Sequence, residues 1–261
     1  MNLEHITSKV ADLANEVGSF IREERQTFSY DKVELKGPSD LVSYVDKESE
    51  KRIIDGLTKI LPEAGFITEE ETTSQEQKEF TWIIDPLDGT TNFVHGIPNY
   101  CVSIALMHEG VVVAGVVYEV ANNECFFGWK NGGSYLDGNR MKVLEINGIQ
   151  DCVLATGFPY YNFERLEEYL RILNRLMKDT QGLRRMGSAA ADMAYVACGR
   201  YGGFFEYNLN SYDIAAGIIL VQEAGGTVTD FSGGGNFLFG REMVAAGSIH
   251  PELLSIIKKE W

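Results

Sequence analysis

The stretch WIIDPLDGTTNF at residues 82–93 decides how the chain is read: a short apolar run stops abruptly at two acids, a proline and a Gly-Thr-Thr triplet. Trp82, Ile83 and Ile84 have the aromatic and β-branched character of a buried strand. Pro86 has no N–H to give a ladder, so the chain is expected to turn just after Asp85. Such a turn aims Asp85 and Asp88 at one point with the Leu87 carbonyl between them, three oxygens of the kind Mg²⁺ accepts. Gly89 removes a Cβ that would block a ligand, and Thr90 and Thr91 open a helix whose free N–H groups face a phosphate. Taken alone, Asp-Pro-Leu-Asp-Gly is also an ordinary surface turn, since turns use those residues. An ordinary turn has no need of two acids followed by a helix-opening threonine pair.

Upstream of this string, Leu3, Ile6, Val10, Leu13, Val17, Phe20 and Ile21 recur every three or four residues and predict an amphipathic helix over the first 25 or so residues. A second helix is expected over residues 46–61, with Pro62 as its stop signal, and a short strand over 66–68. Downstream, residues 100–108, 111–119 and 124–129 read as an antiparallel meander broken at Glu109-Gly110 and Asn122-Asn123. From about Asp151 strands alternate with helices: strands at 153–156, 183–186, 203–207, 227–229 and 243–246, helices near 163–178, 188–198, 214–223 and 251–259. An α+β first half, residues 1–146, is therefore expected, followed by an α/β second half, residues 147–261.

Composition constrains the partners. The chain has 261 residues, 44% of them hydrophobic, enough for one large or two smaller cores. A net charge of −15 argues against nucleic-acid binding, which needs a basic footprint to release counterions. Cys101, Cys125, Cys152 and Cys198 have no metal-ligand spacing and read as reduced core residues of a cytoplasmic protein. The opening MNLEHITSK lacks a signal-peptide pattern, and no run reaches the roughly 18 apolar residues of a membrane span, so no membrane association is expected.

WIIDPLDGTTNF closely resembles the first signature of the inositol monophosphatase family, Mg²⁺-dependent, lithium-sensitive phosphomonoesterases related to fructose-1,6-bisphosphatase. KGPSDLVSYVD (36–46) resembles the family's Asp-Leu-Val-Thr segment, FITEEE (66–71) its Gly-Glu-Glu motif, and SYDIAAG (211–217) its second signature. GLRRMGSAAADMAYVACGRYGGFFE (182–206) is similar to bacterial members, and Arg184 and Arg185 to their arginine pair, often near a subunit interface. The first four of these five segments fall in the family's order. The resemblance implies a layered α-β-α-β-α sandwich, a homodimer, two or three Mg²⁺ per site, and hydrolysis of a small polyol or sugar phosphate, with myo-inositol 1-phosphate as the leading candidate. Relatives also act on fructose 1,6-bisphosphate, adenosine 3′,5′-bisphosphate, NADP and histidinol phosphate, and some bacterial relatives act on the transcription machinery.

By the same resemblance, Glu69, Asp85 and the Leu87 carbonyl hold the activating ion, and Asp85, Asp88 and Asp213 the second. Glu70, Asp46 and Thr90 orient ligands and the attacking water, Thr90 passing a proton toward Asp46. Gly89, Thr90 and Thr91 cradle phosphate, while Gly187, Ser188, Ala189 and Glu206 match positions lining the substrate pocket, and Lys36 adds positive charge. Simpler readings stand beside these: Glu69-Glu70-Glu71 as a solvated acidic run, Asp213 as the N-cap of a helix beginning at Ile214, Asp46 as a plain helix-start acid, Lys36 as a surface lysine. Thr68 replaces the usual glycine and is expected to narrow the pocket; Tyr212 stands for tryptophan and Gly202 for an acid, all three around the pocket. A haloacid-dehalogenase-type phosphatase, with Asp85 as nucleophile, shares the Asp-rich strand end. Here its acids are one residue too far apart, and no later Gly-Asp pair completes its metal site.

Overall fold

The computed structural model describes residues 1–37, 40–159 and 162–261, and their side chains except at 32 and 34–41. Helix α1 (Leu3–Thr27) starts where the Asn2 side chain accepts the His5 N–H at 3.1 Å, and it buries Ile6, Val10, Ala14, Val17 and Ile21 along one stripe. A hairpin follows, β1 (Val33–Gly37) and β2 (Asp40–Ser43), which the sequence patterns did not foretell. Helix α2 (Tyr44–Ile60) begins two residues before the expected Asp46, because Ser43 caps it and Asp46, the third residue of the helix, is the acid of the capping box. It lies beside α1, and both cover one face of the larger sheet.

That sheet contains β3 (Gly65–Thr68), β4 (Phe80–Asp88), β5 (Cys101–His108), β6 (Val111–Glu119), β7 (Glu124–Trp129), β8 (Gly133–Leu136) and β9 (Asn139–Arg140), ordered as in the sequence, while α3 (Thr90–His95) follows β4. β3 and β4 are parallel and the remaining pairs antiparallel, so the meander expected over 100–129 is present and two strands longer.

Strand β4 departs from expectation. Instead of ending at Asp85 it continues to Asp88, with Asp85 opposite Ser103 and Asp88 opposite Cys101, so β4 carries one more residue than β5 across this interval. This is a bulge, the place in a sheet where a proline without an N–H is tolerated. Three steps along a regular strand would put the two carboxylates on opposite faces. Absorbing one residue in the bulge brings both to the same face.

The second half is built from β10 (Val153–Thr156), α4 (Leu166–Asp179), β11 (Gly182–Arg184), α5 (Ala189–Ala197), β12 (Gly203–Tyr207), α6 (Ser211–Glu223), β13 (Thr227–Thr229), β14 (Glu242–Ala246) and α7 (His250–Glu260). Its sheet has the order β11-β10-β12-β14-β13, parallel around β10 and antiparallel around β14. α5 is buried along its whole length and α6 from Ile214 to Val221. Helices apolar on all sides belong between two layers, and these two pack together and on both sheets. α4 and α7 cover the far face of the smaller sheet. The order is therefore α1 and α2, large sheet, α5 and α6, small sheet, α4 and α7: the α-β-α-β-α sandwich. Among the described residues no helix is long and apolar enough to cross a membrane, and all four cysteines are free thiols, Cys101 and Cys152 buried, Cys125 and Cys198 half-buried.

Candidate active site

The bulged end of β4 and the starts of α3, α5 and α6 open onto one cleft of ≈ 180 Å³. Glu69, Asp85, Asp88 and Asp213 all line it, as do Leu87, Gly89, Thr90, Thr91, Gly187, Ser188, Ala189 and Glu206. Asp85 is buried; its Oδ1 accepts the Leu87 N–H at 2.9 Å, and its carboxyl shares a hydrogen bond with Glu69. Burial, then Glu69, Asp88 and Asp213, push its pKa well above the ordinary carboxylate range. On Asp88, Oδ2 accepts from Ser188 Oγ at 2.7 Å and from the Ala190 N–H at 2.8 Å. Burial drives its pKa up to about 6 against the pull of those donors and of Arg185.

Asp213 is not the N-cap of α6. Asn210 occupies that place, and Asp213, three residues on, accepts the Asn210 N–H at 2.6 Å as the acid of a capping box. Burial and Asp88 raise its pKa to about 7. Arg241 braces the preceding loop, donating to Asn210 Oδ1 at 3.1 Å and Asn208 Oδ1 at 2.8 Å.

Thr90 joins two of the expected groups: its Oγ1 lies 2.7 Å from Asp46 Oδ1 and 3.0 Å from the Leu87 carbonyl oxygen. Asp46 is buried, and its Oδ2 accepts from Ser43 N and Oγ at 2.8 and 2.7 Å. Gly89 caps α3 at φ 96°, where a Cβ would stand 3.0 Å from the Asn99 carbonyl oxygen and 3.3 Å from that of Gly187. Asn92 ties these loops together, Nδ2 donating to the Asn99 and Met186 carbonyls at 2.7 Å each. Gly157, which the sequence reading missed, lies so close against Glu206 that any Cβ there would collide with its carboxylate.

Other expected residues stand differently. Glu70 is not among the described residues lining the cleft; its N–H donates to Glu50 Oε2 at 2.8 Å. Thr68 does not narrow the cleft, because it is buried away from it with Oγ1 donating to Glu50 Oε1 at 3.0 Å. Gly202 lies off the cleft against Cys152, whereas Tyr212 lines it. Lys36 has its side chain outside the described residues. Arg185, expected from the resemblance near a subunit interface, lines the cleft, and Asp192, for which the sequence suggests no role, lines it too. An acid inside the small-residue run GSAAADMAYVA was the available signal, since a buried helix seldom keeps a charge without a use.

Six carboxylates (Glu69, Asp85, Asp88, Asp192, Glu206 and Asp213) thus face two arginines, Arg185 and Arg241, in one cleft. Glu206 and Asp192 are also pushed well up, by burial first and then by neighbouring acids. No three His, Cys, Asp or Glu side chains among the described residues close into a ready-made cage. The donor set nevertheless fits Mg²⁺: the ligand groups are hard oxygens, and acids that raise one another's pKa are short of positive charge.

A carboxylate-lined cleft between the two sheets of such a sandwich goes with the sugar-phosphatase class of fold. The chain belongs to the inositol monophosphatase family, whose pattern it matches over residues 2–261. An inositol-1-monophosphatase of Mesorhizobium japonicum is 43% identical over 229 residues, 87% of this chain and 86% of that protein. Nus factor SuhB of Escherichia coli K12 is 41% identical over 236 residues, 89% and 87% of the two chains. The crystal structure of extragenic suppressor protein suhB from Bartonella henselae superposes with a TM-score of 0.91 at 39% identity, covering 98% of this chain and 99% of that one.

Proposed function

We propose that the protein is a Mg²⁺-dependent phosphomonoesterase acting on a small polyol phosphate, with myo-inositol 1-phosphate as the substrate. The observation that carries this reading is the convergence of Glu69, Asp85, Asp88 and Asp213 on one cleft beside the Gly89–Thr91 backbone. Glu69, Asp85 and the Leu87 carbonyl would hold one ion, and Asp85, Asp88 and Asp213 the other. When bound, Mg²⁺ supplies Lewis-acid charge for the attacking water and the leaving oxygen of an anionic ester.

The chain's own residues do the rest. N–H groups at Gly89, Thr90 and Thr91 orient the phosphate. A water attacks phosphorus in line as its proton passes to Thr90 Oγ1, whose own proton moves to Asp46 Oδ1, 2.7 Å away. The ester P–O bond breaks in the same step, and the leaving oxygen takes a proton from solvent. Configuration at phosphorus inverts. Glu206 and the 187–189 loop receive the hydroxyls of the alcohol. Lithium inhibits at the Asp213 position, read out by a LiCl titration at saturating substrate.

The test is a phosphate-release panel with Mg²⁺ over myo-inositol 1-phosphate, fructose 1,6-bisphosphate, adenosine 3′,5′-bisphosphate, NADP and histidinol phosphate. Rank order of kcat/KM identifies the substrate, and full turnover in excess EDTA sinks the metal reading. A phosphate ester made chiral with oxygen isotopes tests the single step; net retention, or an acyl phosphate trapped on Asp85, would point to a nucleophilic aspartate instead. A second role, binding to the transcription machinery, draws support from the 41% identity to a Nus factor, and a pull-down against RNA polymerase tests it.

A further inference from the structure

We infer that Glu50 is a positioning residue that sets the Glu69–Glu70 turn against the rest of the cleft, an inference that rests on the metal-dependent reading above. Glu50 is fully buried on α2, and a carboxylate is kept inside a fold only with partners. Its described partners come from the last residue of β3 and the turn after it. Oε1 accepts from Thr68 Oγ1 at 3.0 Å and from Thr72 N and Oγ1 at 2.7 Å each; Oε2 accepts the Glu70 N–H at 2.8 Å.

The bonded residues flank Glu69, the ligand expected from this segment. Gln75 closes the turn from the other side: its Nε2 donates to Thr68 Oγ1 at 3.0 Å and its Oε1 accepts the Thr68 N–H at 2.7 Å. Phe66 and Glu76 exchange backbone hydrogen bonds at 2.9 and 3.0 Å. Inside this closed turn Glu71 stands at φ 51°, a left-handed conformation that glutamate holds only when its surroundings impose it. Glu50 supplies that imposition on both sides of Glu71.

Asp46, one helical turn earlier on the same face of α2, holds Thr90 at the other edge of the cleft. A single helix therefore spaces the β3 turn from the α3 start. Thr68, where the family usually has glycine, adds a hydroxyl to Glu50 in this chain, so the turn is held more firmly here than a glycine would allow.

The experiment compares wild type with Glu50→Gln, Thr68→Val and Thr68→Ser. Amide hydrogen exchange over residues 66–76, without metal, reads the turn; calorimetric titration with Mg²⁺ alone reads the site. Glu50→Gln turns one acceptor oxygen into a donor. Expected are faster exchange at Glu70 and Thr72 and a Mg²⁺ dissociation constant at least about tenfold higher, the range typical of a residue that orients a ligand from behind. Thr68→Val moves both quantities the same way by a smaller factor, and Thr68→Ser matches wild type, which loss of packing alone would not produce. If Glu50→Gln fails to fold, the Thr68 pair decides. Mg²⁺ affinity within twofold of wild type, despite faster exchange in the turn, overturns the positioning role while leaving the phosphatase reading intact. A wild-type protein that binds no Mg²⁺ overturns the phosphatase reading itself.

Discussion

Asp88 turns one oxygen toward Ser188 Oγ and the Ala190 N–H, so every hydrogen bond described for its carboxylate falls on Oδ2. An asparagine can keep that acceptor while losing the charge, which makes Asp88→Asn a test of charge alone. Asp213→Asn has the same logic, since an amide oxygen can still accept the Asn210 N–H. Both variants are expected to lose at least about a hundredfold in kcat while keeping a wild-type circular dichroism spectrum, because on the proposed reading each removes a ligand charge that the transition state depends on. A wild-type rate in either would take that residue out of the site. Thr90 separates proton transfer from metal binding: Thr90→Ser keeps the hydroxyl between Asp46 and Leu87, whereas Thr90→Val removes it. The serine is expected within about tenfold of wild type and the valine about 10²–10⁴-fold down in kcat, the usual contribution of a positioned proton-transfer group. Equal rates in the two variants would exclude the relay.

At the scale of elements, amphipathic and alternating segments were legible in the sequence. α1, the strands β5 to β7 and the alternating second half follow from side-chain periodicity, which a half-buried element must display. Missed or misplaced features depend on pairings the local pattern does not carry. Pro86 signals the end of a strand, yet the ladder to β5 resumes at Asp88 through a bulge. Asp213 is a good N-cap by residue type, but the better-placed Asn210 takes the cap and leaves it the capping-box role. Thr68 is adjacent to Glu69 in sequence and turned away from the cleft in space, because β3 ends at Thr68, whose hydroxyl bonds Glu50, and Glu69 lies in the bend beyond it. Glu50 was invisible as a partner, its donors lying 18 to 22 residues ahead. The element whose placement matters most is α6, which carries Asp213 between the sheets. It approaches β6 at Gly115, where an added Cβ would stand 2.6 Å from Ile219 Cγ2 and 2.9 Å from the Ala216 carbonyl oxygen. Gly115→Ala is therefore expected to destabilise by about 1–3 kcal/mol through overpacking and to lower the Tm by several degrees in a thermal melt. An unchanged Tm would mean that α6 slides freely over the sheet, against the packing described.

Over the whole molecule, the sandwich places a surplus of buried acid at the seam between its two sheets, and that surplus ties stability to pH and to metal. Asp88 and Asp213 hold protons up to about pH 6 and 7 in the folded protein, whereas an unfolded chain releases them near the ordinary value of 3.8. Asp85 and Glu206 are displaced in the same direction. Between these limits the folded state binds more protons than the unfolded one, so stability falls as pH rises through the window and stays low above it. The stabilising contribution of protonation is present below the folded pKa values and lost above them, opposite to that of a carboxylate held by a salt bridge. In EDTA the Tm is therefore expected to drop by several degrees between pH 5 and pH 8. Asp213→Asn, which cannot ionise, flattens that slope and melts above wild type at pH 8. On the proposed reading Mg²⁺ acts in the reverse sense, because it would bind the deprotonated carboxylates and add stability that grows with its concentration relative to its dissociation constant. At saturating Mg²⁺ the gap between metal-bound and metal-free Tm widens as pH rises from 6 to 8. Melts at four pH values with and without the ion, on wild type and Asp213→Asn, give the comparison. A metal-free Tm that climbs over the same range would show that the cleft acids are ionised and stabilising in the folded protein, contradicting the charge arrangement on which the metal site rests.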